Sequence, residues 1–362
     1  MFRGNKTEEN GMLSFVIVGS GYRSEYYGRV AKTYPDLFRA IFLCRSEEKV
    51  RLVTTHTGIK ATTEIDIALS IKPDFIVVAV DREHVADVTE EWVLRGFPVV
   101  VETPAGSTLE KLDRLWELQE VNGAKIVCCE QYHRQPLLAN GLSMISSGLL
   151  GVPSYGYLSL VHDYHAASIL RRMLMVNDEK YVLHGARKTT PVAETDSRYG
   201  ASYDGHMQQE VRDIVHIEYE SGKTAVYDFA SVEYRSYIRT RHLTVRCDRG
   251  EWSDRILYYL DETNNPQRKF LMADIPDKYR ILDTQSLRDV RRTWQPELQL
   301  DTLQDEYAIA TILLDMKDYL EGGESPYPLR EALDDALFWL LIQDAVNNPW
   351  KEITVPRTGW NS

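Results

Sequence analysis

Residues 74–104, DFIVVAVDREHVADVTEEWVLRGFPVVVETP, constrain the fold more than any other stretch. Asp74 to Val80 is a continuous apolar run, the pattern of a strand buried on both faces. Val85 to Leu94 has helical spacing, and Pro98 to Val101 is a second apolar strand. Strand, helix and strand in so short a span make a parallel crossover unit. Open parallel sheets hold their ligands beyond the carboxyl ends of the strands. Those ends are polar here. Asp81, Arg82 and His84 follow the first strand, and Glu102 and Thr103 follow the second.

The same alternation runs through the N-terminal third. Ser14 to Val18 is a short strand that enters Gly19-Ser20-Gly21-Tyr22-Arg23-Ser24 and then a helix to about Thr33. This is the context a dinucleotide turn requires. The first Gly permits the turn and the second admits a pyrophosphate against the backbone. Ser24 stands where a third Gly normally gives close helix–strand packing. Amides at the helix N-terminus, those of Tyr22 and Arg23 included, are offered to the phosphates. Phe38 to Leu43 is the second strand and ends at Cys44-Arg45-Ser46. A carboxylate at Cys44 would bind the ribose of NAD. None is there, and Arg45 can pair with a 2′-phosphate, as can Arg23. NADP is therefore favoured over NAD. Helices over 47–56, 64–70 and 108–121 and strands over 59–62 and 125–129 complete a doubly wound α/β sheet.

The pattern changes after Glu130. Leu137 to Ser147 and His165 to Met175 read as helices, and Tyr155 to Val161 as a strand. Strands follow at 211–220, 224–232, 238–247 and 251–260, with Ser221-Gly222-Lys223 as a hairpin turn. Such a meander is an antiparallel sheet. Residues 261–300 read as loop, and helices close the chain at 306–320 and 329–345. The expected division is a nucleotide-binding Rossmann domain over 1–131 and an α+β domain over 132–362 for substrate and oligomerisation. The last helices can pack back on the first domain.

A net charge of -12 opposes nucleic-acid binding. The four cysteines, Cys44, Cys128, Cys129 and Cys247, form neither a disulfide framework nor a zinc motif, so no metal is expected. No apolar run reaches the length of a membrane span, and residues 1–12 lack the apolar core of a signal peptide. A cytoplasmic setting is the expectation. One face of an antiparallel sheet lies open unless another subunit buries it, which implies a homodimer or homotetramer.

The layout resembles the Gfo/Idh/MocA family, the glucose–fructose oxidoreductase and inositol dehydrogenase group, from about Ser14 to Val355. His84, Gly96, Glu102 and Pro104 match its His after the fourth strand, its Gly before the fifth and its Glu-Lys-Pro. Thr103 replaces the lysine. The resemblance implies cofactor contacts from Gly19, Gly21, Tyr22, Arg23, Cys44, Arg45, Ala79, Val80, His84, Glu102 and Thr103. It also implies a catalytic His at the start of a second-domain helix, which is His165, with Arg171 six residues on. The Asp normally four residues earlier falls on Val161. Tyr132 and His133, just past the sixth strand, are further candidates for contact with nicotinamide or substrate.

Thr103 cannot carry a proton at neutral pH, so acid–base work shifts to His165. A helix N-terminus disfavours imidazolium, which suits a general base. Tyr199, Tyr203, His206 and Arg212, around the start of the first long strand, are weaker substrate candidates, and residues 185–210 are where a missing part of the family's substrate wall would be rebuilt. Arg171, Arg172, Arg239 and Arg241 read as solvated charges. The implied activity is NAD(P)-dependent hydride transfer on a sugar, cyclitol or related polyol. Two other readings fit the lost lysine: an NAD-dependent glycosidase with transient substrate oxidation, and a non-catalytic dinucleotide-binding sensor.

Overall fold

The computed structural model describes residues 11–197, 200–282 and 302–361. They fall into two compact units. One lies within Met1–Gln131, Asp277–Arg288 and Asp305–Leu333, the other within Tyr132–Pro276, Asp289–Gln304 and Asp334–Ser362.

In the first unit the chain alternates β1 (Leu13–Val18), α1 (Tyr22–Thr33), β2 (Phe38–Leu43), α2 (Glu47–Thr57), β3 (Ala61–Thr62), α3 (Ile65–Leu69), β4 (Phe75–Val78), α4 (Val85–Leu94), β5 (Val99–Val101), α5 (Leu109–Asn122) and β6 (Ile126–Cys128). The strands pair in parallel in the order β3-β2-β1-β4-β5-β6. This is the doubly wound order, and its switch point lies between β1 and β4. Phe75 to Val78 and Val99 to Val101 are wholly buried, as helices on both faces demand. Ser46 and Thr108 cap α2 and α5, their side chains accepting the amides of Lys49 and Lys111.

The second unit holds α6 (Pro136–Ser146), β7 (Pro153–Ser159), α7 (Asp163–Leu174), β8 (Tyr181–Ala193), the short β9 (Asp196–Ser197) and β10 (Gly200–Ala201), β11 (Met207–Tyr219), β12 (Thr224–Ala230), β13 (His242–Cys247), β14 (Gly250–Ser253), β15 (Ile256–Leu260) and β16 (Pro266–Phe270). Near the C-terminus come α8 (Thr302–Leu320), which from Asp305 on belongs to the first unit, α9 (Leu329–Asn347), which belongs to the second from Asp334, and β17 (Ile353–Thr354). Nine strands form one sheet in the order β16-β15-β14-β13-β7-β12-β11-β8-β17. All its pairs are antiparallel except β7 with β12. Helices cover one face. Gly156 of β7 meets Leu170 and Leu174 of α7, Gly141 of α6 meets Trp252 of β14, and Tyr181 of β8 meets Phe338 of α9. The other face carries Ile214, Tyr258 and Phe270, all exposed.

Three sequence expectations are corrected. Residues 185–210, where no strand was expected, hold the end of β8 and the start of β11, which pair from Tyr181–Tyr219 to Ala193–Met207. The polar run Lys188-Thr189-Thr190-Pro191 hides the strand. Pro191 is tolerated because β17 pairs only Val182 and Leu183, leaving β8 an edge beyond them. The strand expected over 251–260 is a hairpin of β14 and β15, turned at Asp254 with φ +51°. Its carboxylate accepts the Leu243 amide at 3.0 Å, and Asp tolerates this conformation better than most residues. Within 261–300, read as loop, Pro266–Phe270 is strand β16, and residues 283–301 lie outside the described residues.

Candidate functional site

The turn after β1 is shaped by contact with the backbone after β4. Gly19 has φ +140°, and a Cβ there would stand 2.1 Å from the carbonyl oxygen of Ala79. Only Gly can hold that position. Gly21 differs. Its backbone is extended (φ -89°, ψ 178°), and a Cβ would meet no protein atom within 4 Å. No packing demand excludes a side chain at Gly21, and the open space beside it faces the start of α1, which has no side-chain cap. A pyrophosphate fits there, against uncapped amides. Ser24 is fully buried and its hydroxyl donates to the Gly21 carbonyl at 2.7 Å. The close approach expected of a third glycine occurs one turn later, where a Cβ on Gly28 would meet the Phe42 ring at 2.7 Å. The sequence shows Gly28 in a helix, but its partner Phe42 is visible only in the fold.

Glu102 is buried and richly hydrogen-bonded. Oε1 accepts from Arg23 Nε (3.0 Å), Arg23 Nη2 (2.8 Å) and the Tyr27 hydroxyl (2.9 Å). Oε2 accepts from the Thr103 amide (3.0 Å) and hydroxyl (3.3 Å). Arg23 also pairs with Asp305 at 3.2 Å, which in turn accepts from Gln131 at 3.2 Å. Arg23 thus anchors Glu102, which does not support the expectation that it pairs with a ribose phosphate. Thr103 precedes a cis bond to Pro104. Cys44 is buried directly after β2, where burial and the nearby Glu47 push its thiol up to about 11. Arg45 and His84 are exposed, and among the described residues neither shares a hydrogen bond with the Arg23–Glu102 network. Ala79 is buried and Val80 half-buried at the end of β4.

The second unit gathers a cluster of rings at the start of α7. His165 is 5% exposed. Edges of Tyr132 and Tyr164 lie 4.5 Å from it between centroids, and His162 lies at 5.0 Å. His162 is partly exposed and caps the helix through its backbone, its carbonyl accepting the His165 amide. Its Nδ1 lies 2.7 Å from the Tyr234 hydroxyl, and its Nε2 lies 3.3 Å from that of Tyr164. Tyr227 supports the turn by accepting the amide of Asp163, whose φ of +45° is unusual for a non-Gly residue. Val161, at the place of the family's Asp, is fully buried.

His133 stands apart from this cluster in character. Burial, then the charges of Arg172, Arg134 and Arg171, hold its imidazole well below the usual range, so it stays neutral and is a weak base. Arg171 is not a solvated charge. It pairs with Asp335 at 2.8 Å with only 14% of its side chain exposed. Arg239 pairs with Glu210, and Arg241 is buried with its guanidinium 5.6 Å from the Tyr234 ring centroid. Asp335 and Glu210 lie far along the chain from their arginines, where no local pattern reveals them. Arg212 binds Asp228 on the sheet, while Tyr203 is exposed and His206 pairs with Asp204 and Glu194. Tyr199 lies outside the described residues.

Sequence reasoning missed the loop after β12. Glu233 there is buried, and desolvation pushes its carboxyl up to about 7. One oxygen accepts from the Ala230 amide and the Ser159 hydroxyl, and Oε1 has no partner among the described residues. An acid followed by a tyrosine, Glu233-Tyr234, directly after an apolar strand was the available signal. No His, Cys, Asp and Glu group suited to a metal occurs among the described residues, and no described helix is long and apolar enough to cross a membrane.

Residues 13–129 match the model of the Gfo/Idh/MocA group, described as an oxidoreductase family with an NAD-binding Rossmann fold. No curated protein matches the chain. Among solved structures, an oxidoreductase from Agrobacterium radiobacter in complex with NAD+, L-tartaric acid and magnesium is 12% identical, with TM-score 0.68 over 95% of this chain and 98% of its own. An NAD-binding oxidoreductase from Klebsiella pneumoniae is 12% identical, with TM-score 0.69 over 96% and 100%. GenD2 from gentamicin A biosynthesis, in complex with NAD, is 14% identical, with TM-score 0.65 over 99% and 100%. At such identities the likeness is one of fold.

Proposed function

From a chain whose N-terminal domain belongs to the Gfo/Idh/MocA oxidoreductase family, we propose an NAD(P)-dependent oxidoreductase acting by hydride transfer on a sugar, cyclitol or related polyol. The observation that carries this reading is the pair of glycines. Gly19 is required by the Ala79 carbonyl, whereas Gly21 is required by nothing in the protein and leaves room for a pyrophosphate. The nicotinamide, when bound, supplies the hydride acceptor. The chain's own part is to seat the phosphates on the amides of Tyr22 and Arg23, and to take the substrate's proton with the ring cluster around His165. Thr103 contributes only hydrogen bonds, and Glu102 is occupied in fixing the loop that carries it.

NADP is the nucleotide favoured by Arg45, an exposed cation directly after β2. NAD is the second reading, because Glu47 lies near Cys44 and can accept from a ribose hydroxyl. Calorimetric titration of the purified protein with each nucleotide decides the matter. Tighter binding of NADPH, weakened in Arg45→Ala, is expected; tighter NADH binding selects the second reading. Production of reduced nicotinamide with a polyol panel tests the reaction itself. Release of a free sugar without net change in nicotinamide would point instead to the glycosidase, and binding without turnover to the sensor.

A further inference from the structure

We propose that Arg23 is a positioning residue that joins the nucleotide turn to the loop carrying Thr103, so that a nucleotide seated on the turn sets that loop. The proposal rests on the nucleotide site read above and adds to it a coupling between two strand ends.

Arg23 is the second residue of α1 and belongs to the turn of helix that no side chain caps. Amides without partners leave a first turn prone to fray, and phosphates seated on them hold it. Whatever fixes the backbone over 22–24 therefore fixes the root of the Arg23 side chain. The guanidinium leaves α1 for the ends of other strands. Its Nε and Nη2 both donate to Glu102 Oε1, directly after β5. Its Nη1 donates to Asp305, which also takes the side-chain amide of Gln131, just past β6. The Tyr26 ring, its centroid 4.6 Å from the guanidinium carbon, lies against one face. One side chain thus links the turn after β1 to the carboxyl ends of β5 and β6, the edge on which open parallel sheets seat their ligands.

Charge decides between two roles for Arg23. One guanidinium faces two carboxylates, so no positive charge is left over to draw a phosphate. What the contact supplies is geometry, because a planar fork fixes direction in a way that a single ammonium does not. Glu102 passes the constraint on. A carboxylate only accepts, so the amide and the hydroxyl of Thr103 both donate to Oε2, and the loop is held by backbone and side chain together. Tyr27, one turn further along α1, is fully buried and donates to Oε1 as well. It secures Glu102 from the body of the helix, whereas Arg23 secures it from the turn. Such coupling is reciprocal: what the nucleotide does for the loop, the loop returns as nucleotide affinity.

Nitrogen–proton NMR of threonine-labelled protein, with the Thr103 amide assigned from a Thr103→Ser spectrum, reads the loop without any turnover. NADPH and NADH are the probes. Saturation of the wild type should move the Thr103 signal. In Arg23→Lys, which keeps the charge and loses the fork, saturation should leave the signal at its free position, and calorimetry should show affinity lower by about tenfold. Tyr27→Phe, which removes a bond to Glu102 away from the turn, should keep the wild-type response. A signal that moves as far in Arg23→Lys as in the wild type, that stays in place in the saturated wild type, or that is lost equally in Tyr27→Phe would overturn the coupling while leaving the nucleotide site intact. Failure of both nucleotides to bind the folded wild type would overturn the nucleotide reading itself, and the coupling with it.

Discussion

Two glycines with a single residue between them in the same turn answer to different masters, and substitution separates them. Gly19→Ala drives a methyl into the Ala79 carbonyl at a backbone angle that side chains avoid. A loss of about 2–4 kcal/mol in urea denaturation is expected. Gly21→Ala has open space and ordinary backbone, so stability should change by only a few tenths of a kcal/mol, roughly the cost at an N-cap position, while nucleotide binding is lost. Equal destabilisation of the two would contradict the reading of the turn. Glu233 gives a pH prediction. Its folded pKa is raised from 4.5 to about 7 by burial, with the charge of Asp228 adding to the rise and the Ala230 amide, Arg241 and Ser159 opposing it. Between those values the folded state holds a proton that the unfolded state has lost, so stability falls as pH rises from about 4.5 through 7, by about 3 kcal/mol. Glu233→Gln should flatten that fall in denaturation curves taken across the range. A slope that survives the substitution would assign it to another group.

Elements of the first unit were legible because each carries its own period: α4 and β2 have the bounds that spacing gave them, and Gly19 stands in strand–turn–helix context. The second unit was read less well where a strand is defined by its neighbour. β8 looks polar over Lys188 to Pro191, and only its ladder with β11 makes it a strand. The ring cluster was half-visible for the same reason. His165 and Tyr132 could be named from their surroundings, but Tyr234 reaches His162 from a loop seventy-two residues away, a distance in sequence that no local pattern spans. Packing between elements also reverses one rule of thumb. Gly141 lies inside α6, where Ala normally stabilises by about 1 kcal/mol. Its Cβ would stand 2.2 Å from the buried Trp252 ring. Gly141→Ala is therefore expected to destabilise by about 1–3 kcal/mol, the cost of overpacking. A gain in the denaturation midpoint would show that the α6–β14 contact yields easily.

At the scale of the whole molecule, we propose that the face of the nine-stranded sheet that no described helix covers meets a partner. Ile214, Tyr258 and Phe270 are 38%, 43% and 58% exposed on it, among polar pairs such as Arg212 with Asp228. A second copy of the chain burying this face is the expected assembly. Light scattering on a sizing column should give the mass of two or more chains, and Ile214→Asp with Phe270→Asp should shift it to one. A wild-type mass of one chain would refute the assembly.

The clamp on Arg23 draws on both Glu102 and Asp305, positions set far apart along the polypeptide. During synthesis the nucleotide turn therefore emerges early and waits, with its arginine only half secured, until nearly the entire chain has left the ribosome. A nascent protein stalled before Asp305 would present the glycine turn with Arg23 lacking one of its two carboxylate partners.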